Sequence, residues 1–222
     1  MRANRSIGAI SMEKPRIKIC GLTRPEDVQA AVDAGADAIG LVFYPPSPRY
    51  VALKTAAELA RTVPPFVTIV GLFVNAAPEV VKETLAAVPI HMLQFHGDED
   101  EVYCRQFARP YMKAARVKPR LDLVQYAVGF PSAQAILLDA FVEAYGGGGQ
   151  VFDWTLIPPG LGKPIVLSGG LDAGNVGEAI VRVRPAAVDV SSGVEASKGI
   201  KDADKIRAFV TAVRAAGLMP TD

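Results

Sequence analysis

RIKICGLTRPEDVQAAVDAGADAIGLVF, residues 16–43, contains one whole strand–helix–strand unit, and the fold follows from finding that unit repeated. Arg16–Cys20 is a short β-branched run, and Ala38–Phe43 is a second apolar run of strand length. Between them the apolar residues of Pro25–Ala34 recur at helical spacing. Thr23 is an N-cap candidate, Pro25 suits a first helical turn, and Gly35 stands where a helix ends. Alternation within the first strand sends Ile17 and Ile19 to one face and Lys18 and Cys20 to the other. The isoleucines suit a contact with helices, which leaves Lys18 and Cys20 facing inward.

Further strand candidates are Val67–Val74, Met92–Phe95, Met112–Val117, Ala135–Asp139, Pro164–Ser168 and Ala187–Val190, which makes eight. Helical stretches follow at Lys54–Thr62, Pro78–Ala87, Glu99–Ala108, Leu121–Val128, Ala173–Val183 and Asp202–Ala216, with a weak one near Trp154–Ile157. Asp172 and Asp202 are expected to accept the first helical N–H bonds, and Gly217 to close the last helix. Strands that are apolar on both faces, each followed by a helix, imply a parallel sheet covered on its outside. Eight units favour an α/β fold of one (β/α)8 TIM barrel over an open doubly wound sheet. No linker-like composition shift divides the chain, so residues 14–222 read as one barrel domain. Residues 1–13 read as an N-terminal extension, expected to be poorly ordered.

Composition narrows the function. The chain has 222 residues, 50% of them hydrophobic, with 24 Lys+Arg against 23 Asp+Glu. Such a chain can bury a large core, and it lacks the basic excess that drives non-specific nucleic-acid binding. An anionic ligand must therefore be held locally. Cys20 and Cys104 cannot form a disulfide framework for a chain of this size, which suits a reducing compartment and a cytoplasmic location. The apolar stretch Ile7–Ile10 is far too short for a signal peptide. Val67–Val74 is strand-sized rather than the roughly 20 residues that cross a bilayer, so no membrane span is expected.

Two segments interrupt the rhythm, Pro45-Pro-Ser-Pro-Arg49 after the second strand and Ala140–Trp154 after the sixth. Both follow the C-terminal ends of strands, where barrel enzymes build their sites. Cys20 ends the first strand there. A free cysteine is more often an inert buried group, but this position favours chemistry for Cys20, whereas Cys104 on a helix keeps the inert reading. Asp139 closes Ala135-Ile-Leu-Leu-Asp139 on the inward face. Burial without a partner would raise its pKa and equip it as a proton donor, although a cap or a structural ion pair fits the residue type equally well. Arg49 lies in a proline-stiffened loop and can grip a carboxylate at two points; a solvent-exposed arginine is the alternative.

Ser168-Gly-Gly170 follows the seventh strand and Ser191-Ser-Gly193 the eighth. In this fold the loops at those two positions bind phosphate through backbone N–H groups that glycine lets approach closely. Paired there, they point to a phosphorylated ligand. His91 and His96 face opposite sides of a strand and do not make a metal pair, so no metal site is expected. His96 sits at the rim and is a substrate contact, while His91 starts the strand. Gly146–Gly149 is not a P-loop, because no Lys-Ser/Thr follows it. Trp154 reads as a packing anchor.

Taken in order, Lys18-Ile-Cys-Gly21, Gly35-Ala-Asp-Ala-Ile-Gly-Leu-Val-Phe43, Ser47-Pro-Arg49, Val70-Gly-Leu-Phe-Val-Asn75, Gln94-Phe-His-Gly97, Leu137-Leu-Asp139, Phe152-Asp-Trp154, Ser168-Gly-Gly-Leu171 and Val188–Glu195 resemble the N-(5'-phosphoribosyl)anthranilate isomerase family of tryptophan biosynthesis. The resemblance runs from about Lys18 to Arg214. It implies a cofactor-independent Amadori rearrangement of an aminoaldose phosphate, a small-molecule phosphosugar; charge balance and the short apolar runs leave no nucleic acid or membrane partner expected, and the assembly stays open between monomer and homodimer. It implies Asp139 as general acid, Cys20 as general base and Arg49 as the grip on the anthranilate carboxylate. Gln94, His96 and Asp189 join Arg49 as substrate-binding residues, and Gly169, Gly170, Ser191, Ser192 and Gly193 bind the phosphate.

A thiol near its reference pKa of roughly 8.5 is only slightly ionised at neutral pH, so activation of Cys20 is expected, with Lys18 its source. Closure of the barrel makes the first and last strands neighbours, and Lys18 is expected to meet Asp189 inside. Gly146–Gly149 departs from the family's usual Gly-Gly-Thr/Ser-Gly, Ser168 stands where alanine is usual, and Ser197-Lys198-Gly199 replaces a frequent proline-glycine turn. A phosphosugar synthase or epimerase is the competing enzyme class and a non-catalytic phosphosugar-binding barrel the competing non-enzyme. The former would want a catalytic lysine–glutamate pair or metal ligands, and the latter would have lost Cys20 or Asp139.

Overall fold

The structure, a computed structural model, describes residues 14–140 and 152–216. Eight parallel strands close into a barrel in chain order: β1 (Arg16–Cys20), β2 (Ala38–Val42), β3 (Thr68–Phe73), β4 (Met92–Phe95), β5 (Tyr111–Val117), β6 (Ala135–Ala140), β7 (Ile165–Leu167) and β8 (Ala187–Val190). The barrel closes where β8 pairs with β1, with Lys18 in register with Asp189. Helices α1 (Pro25–Ala34), α2 (Leu53–Arg61), α3 (Pro78–Ala87), α4 (Glu101–Arg105), α5 (Leu123–Val128), α6 (Val176–Val183) and α7 (Ala203–Ala216) connect the strands, and a single 3₁₀ turn at Trp154–Leu156 stands before β7. The (β/α)8 expectation is met, with that turn in the place of the weak helix.

Alternation along each strand divides the apolar residues into two cores. Ile17, Ile19, Ile39, Leu41, Ile69, Leu93, Ile136, Leu138 and Val188 face outward and pack with the helices. Val70, Met112, Ala114, Leu137 and Val166 fill the barrel itself, with Ala38, Met92, Ala135 and Ala187 against them. The interior is therefore a packed core rather than a pore, and the chemistry is confined to the strand ends above it.

Local chemistry moves several boundaries. Gly35 ends α1 in the left-handed conformation at φ 89°, as its position implied. Thr23 is not the cap of α1: its hydroxyl donates to Gly199 O at 2.7 Å, and the cap position is Arg24. Helix α4 is shorter than Glu99–Ala108, because Glu99 is drawn into the core and Asp100 takes over the cap, accepting from Tyr103 N at 2.7 Å. Asp202 caps α7 through Asp204 N and Lys205 N, while Asp172 accepts from Gly174 N and Asn175 N in the turn before α6. After β8 the chain makes a short 3₁₀ turn at Ser192–Val194 and then an antiparallel hairpin, β9 (Glu195–Ser197) with β10 (Ile200–Lys201), which the strand pattern did not reveal. Gly199 turns it at φ 81°. The extension at 1–13, the Gly146–Gly149 run and Gly217 lie outside the described residues.

Candidate active site

All the residues expected to act lie at or just beyond the C-terminal ends of the strands. Cys20 and Lys18 project from β1 into the mouth, both buried. Gly40, opposite Cys20 in register, makes room for them: a Cβ there would lie 2.7 Å from Cys20 Sγ and 3.1 Å from Lys18 Nζ. Lys18 Nζ meets Asp189 Oδ1 at 2.8 Å, as the closed barrel required, and Ser168 Oγ reaches Asp189 Oδ2 at 3.3 Å. Burial opposes the Lys18 charge, but Asp189 and Cys20 outweigh it and hold the ammonium above its ordinary value. The expected activation of Cys20 is not met. Burial pushes its thiol up, and the pull from Lys18 and Lys201 does not overcome burial and Asp189 together. Asp189 offsets part of the Lys18 charge that the thiol would otherwise feel.

Asp139 does not stand alone at the end of its apolar strand. Its Oδ2 lies 3.0 Å from His96 Nε2, and its Oδ1 accepts from Ala140 N at 2.9 Å. His96 Nδ1 in turn lies 2.9 Å from Gln94 Nε2, so β4 and β6 are joined by a side-chain chain Gln94–His96–Asp139. The ring is thus held at both nitrogens, Nδ1 by the Gln94 amide and Nε2 by the Asp139 carboxyl group. Gln94 Oε1 is buried with no hydrogen-bond partner among the described residues. His91 Nδ1 accepts from Ile69 N at 3.0 Å and serves the start of β4.

Arg49 is buried rather than solvent-exposed, only 7% accessible, and its guanidinium makes a two-point contact with Glu195 of β9, Nε to Oε1 at 2.7 Å and Nη2 to Oε2 at 2.8 Å. Lys201 Nζ of β10 donates to the same Oε1 at 2.9 Å. Two cations share one carboxylate, leaving this corner of the mouth net positive. The glycine loops after β7 and β8 meet beside it. Gly169 and Gly170 take φ 82° and 65°, and a Cβ on Gly169 would strike Ala140 N at 2.5 Å and Asp139 Oδ1 at 2.8 Å. A Cβ on Gly193 would come within 2.0 Å of Leu171 O, so glycine alone lets the two loops touch. Ser191 Oγ donates to Cys20 O at 3.0 Å and faces Lys201 Nζ, so Ser191 can offer an anion its backbone N–H and not its hydroxyl proton.

Several working residues carried no role in the sequence reading. Glu195 and Lys201 depend on a hairpin too short to show alternation. Lys113 of β5 donates to Gly97 O at 2.6 Å and pairs with Glu99, which also accepts from Asn75 N and Gly97 N. That buried clamp fixes the loop beyond His96. Cys104 lies in the core of α4, where burial pushes its thiol up to about 12, in keeping with the inert reading. Among the described residues no group of three or more His, Cys, Asp or Glu could hold a metal ion, and no helix is long and apolar enough to cross a membrane.

Comparison with known proteins agrees with the motif order. The N-(5'phosphoribosyl)anthranilate (PRA) isomerase family model matches residues 17–212. The N-(5'-phosphoribosyl)anthranilate isomerase of Dechloromonas aromatica (strain RCB) is 71% identical over 203 residues, covering 91% of this chain and 98% of its own. A crystal structure of phosphoribosyl anthranilate isomerase in complex with reduced 1-(o-carboxyphenylamino)-1-deoxyribulose 5-phosphate is 41% identical, covers 90% of this chain and 99% of its own, and superposes with a TM-score of 0.80. A structure of monomers of the dimeric enzyme from Thermotoga maritima is 40% identical with the same coverage and a TM-score of 0.81. With a closed eight-stranded barrel and a match over nearly its whole length, the chain belongs to the N-(5'-phosphoribosyl)anthranilate isomerase family.

Proposed function

We propose that the mouth of this barrel converts N-(5'-phosphoribosyl)anthranilate into 1-(2-carboxyphenylamino)-1-deoxyribulose 5-phosphate, a step of tryptophan biosynthesis, with Asp139 as general acid and Cys20 as general base. The observation that carries this reading is the placement of Cys20 on β1 and Asp139 on β6, with the glycine loops after β7 and β8 between them. A sugar phosphate anchored at those loops reaches the acid on one side and the base on the other.

The reaction is an internal redox exchange that balances without a cofactor. Asp139 gives its proton to the ribose ring oxygen as the C1'–O bond breaks, leaving a Schiff base. Cys20 removes the C2' proton, the electron pair moves to form an enolamine, and tautomerisation yields the ketone. Each proton transfer supplies a factor on the order of 10² to 10⁴. His96, 3.0 Å from Asp139, steadies it as its charge changes. The backbone amides of Gly169, Gly170, Ser191, Ser192 and Gly193 hold the phosphate. Arg49, whose Nε and Nη2 are committed to Glu195, offers Nη1 to the anthranilate carboxylate. Gln94 and Asp189 line the same mouth, and the buried orphan Gln94 Oε1 is a natural acceptor for a substrate N–H or O–H.

We further propose that residues 14–222 act as one catalytic domain preceded by the extension at 1–13, in the cytoplasm, as a monomer or homodimer. Light scattering decides the last point. Mixing anthranilate with phosphoribosyl pyrophosphate generates the labile substrate in place, and loss of its fluorescence on adding the protein tests the reaction. Absence of protein-dependent decay would reject it.

A further inference from the structure

The barrel repeat does not require the β9–β10 hairpin, yet its last residue is buried at the mouth. The Lys201 side chain is 0% exposed, and its Nζ has three acceptors: Glu195 Oε1 at 2.9 Å, Ser191 O at 3.0 Å and Ser191 Oγ at 3.3 Å. An ammonium has three N–H groups, so all are spent inside the protein and none remains for a ligand. Ser191 Oγ donates onward to Cys20 O, and Glu195 holds Arg49. Lys201 thus stands where the proposed base, the phosphate loop and the proposed carboxylate grip are tied together.

The hairpin is fixed from outside. Asp27 accepts from Lys201 N at 3.2 Å, Thr23 holds Gly199 O, and Lys205 Nζ donates to Glu195 O at 2.8 Å. A Cβ on Gly199 would lie 2.7 Å from Pro48 O, so the hairpin tip packs directly on the loop that carries Arg49. Neutralising Glu195 does not explain Lys201, because Arg49 already does so at two points. A second cation leaves a buried positive excess, which is costly unless an anion faces it: burial and Arg49 together hold the Lys201 ammonium below its ordinary value despite Glu195 and Cys20.

We propose that Lys201 is a positioning residue of the active site, anchoring Ser191 and through it the backbone of Cys20, and adding to the positive charge that the thiol feels. This rests on Cys20 being the base. The charged groups around Cys20 are Lys18 from its own strand, Asp189 from β8, Arg49 from the loop after β2, and the Lys201–Glu195 pair from the hairpin. Of these, Lys18, Lys201 and Arg49 favour the thiolate, while burial, together with Asp189, opposes it.

The test compares Lys201→Met, which removes charge and donors, Lys201→Gln, which keeps donors without charge, and Lys201→Arg, which keeps the charge. Lys201→Met and Lys201→Gln are expected to lower kcat/KM by roughly 10- to 100-fold and to move the acid limb of its pH profile to higher pH, with Lys201→Arg moving the limb back. Ultraviolet thiolate absorbance, read as the difference between each protein and its Cys20→Ala counterpart, must shift the same way without any turnover. A folded Lys201→Gln whose limb and thiolate titration stay at the wild-type position overturns the proposal. Undiminished turnover of Cys20→Ala would instead overturn the base assignment, so the two failures are distinguishable.

Discussion

Lys18 Nζ lies 2.8 Å from Asp189 Oδ1 across the seam where β1 meets β8, a contact between residues 171 apart in the chain. Both side chains are only 4% exposed, so each is the other's main compensation for lost hydration. Asp189→Asn removes the larger of the two groups that offset the buried Lys18 charge, leaving only Cys20. Its unfolding free energy in urea is expected to drop by about 3 to 5 kcal/mol, the range for breaking a buried pair. A drop below about 1 kcal/mol would place the pair among weak surface interactions instead.

Gly40 tests how tightly the thiol is seated. Its replacement by alanine puts a methyl group 2.7 Å from Cys20 Sγ, and the thiol or the strand must yield. Overpacking of this kind costs roughly 1 to 3 kcal/mol, and a displaced base of 1 Å can cost about 10²-fold in rate. Gly40→Ala is therefore expected to remain folded while kcat falls by about that factor; an unchanged kcat would mean that Cys20 has room to spare.

His96 holds Asp139 at 3.0 Å and is itself held by Gln94. His96→Asn shortens the side chain and frees the carboxylate to turn. A loss in kcat of roughly 10- to 100-fold is expected, with inhibition by inorganic phosphate unaltered because the glycine loops are untouched. Equal losses in kcat and phosphate affinity would mean that His96 shapes the whole mouth rather than the acid.

Arg49→Ala removes the proposed carboxylate grip but leaves Glu195 paired with Lys201. KM is expected to rise more than kcat falls, and more than in an exposed substitution such as Arg61→Ala. Equal KM values for the two variants would argue against carboxylate recognition by Arg49.

Much of the barrel could be read from the chain because its signals are local. Gly35, Pro25 and the alternation in Arg16–Cys20 act within a few residues of where they stand. The Lys18–Asp189 contact could also be foreseen, since closure makes the first and last strands neighbours. The partner of Arg49 could not. Glu195 is 146 residues away, on a strand of three residues paired with one of two, and no periodicity shows over so short a span. The net effect on the Cys20 thiol is not legible either, because burial, which outweighs the pull of Lys18, depends on three-dimensional packing. Asp139 likewise gained a partner, His96, from a strand two places away around the barrel.

Whether Cys20 serves as the proposed base can be decided by one rate. Purified Cys20→Ala, given substrate generated in place and followed by fluorescence decay, is expected to show a kcat lower by a factor on the order of 10² to 10⁴ while still being inhibited by inorganic phosphate. A kcat close to that of the unaltered protein would contradict a mechanism in which the Cys20 thiolate takes the C2' proton.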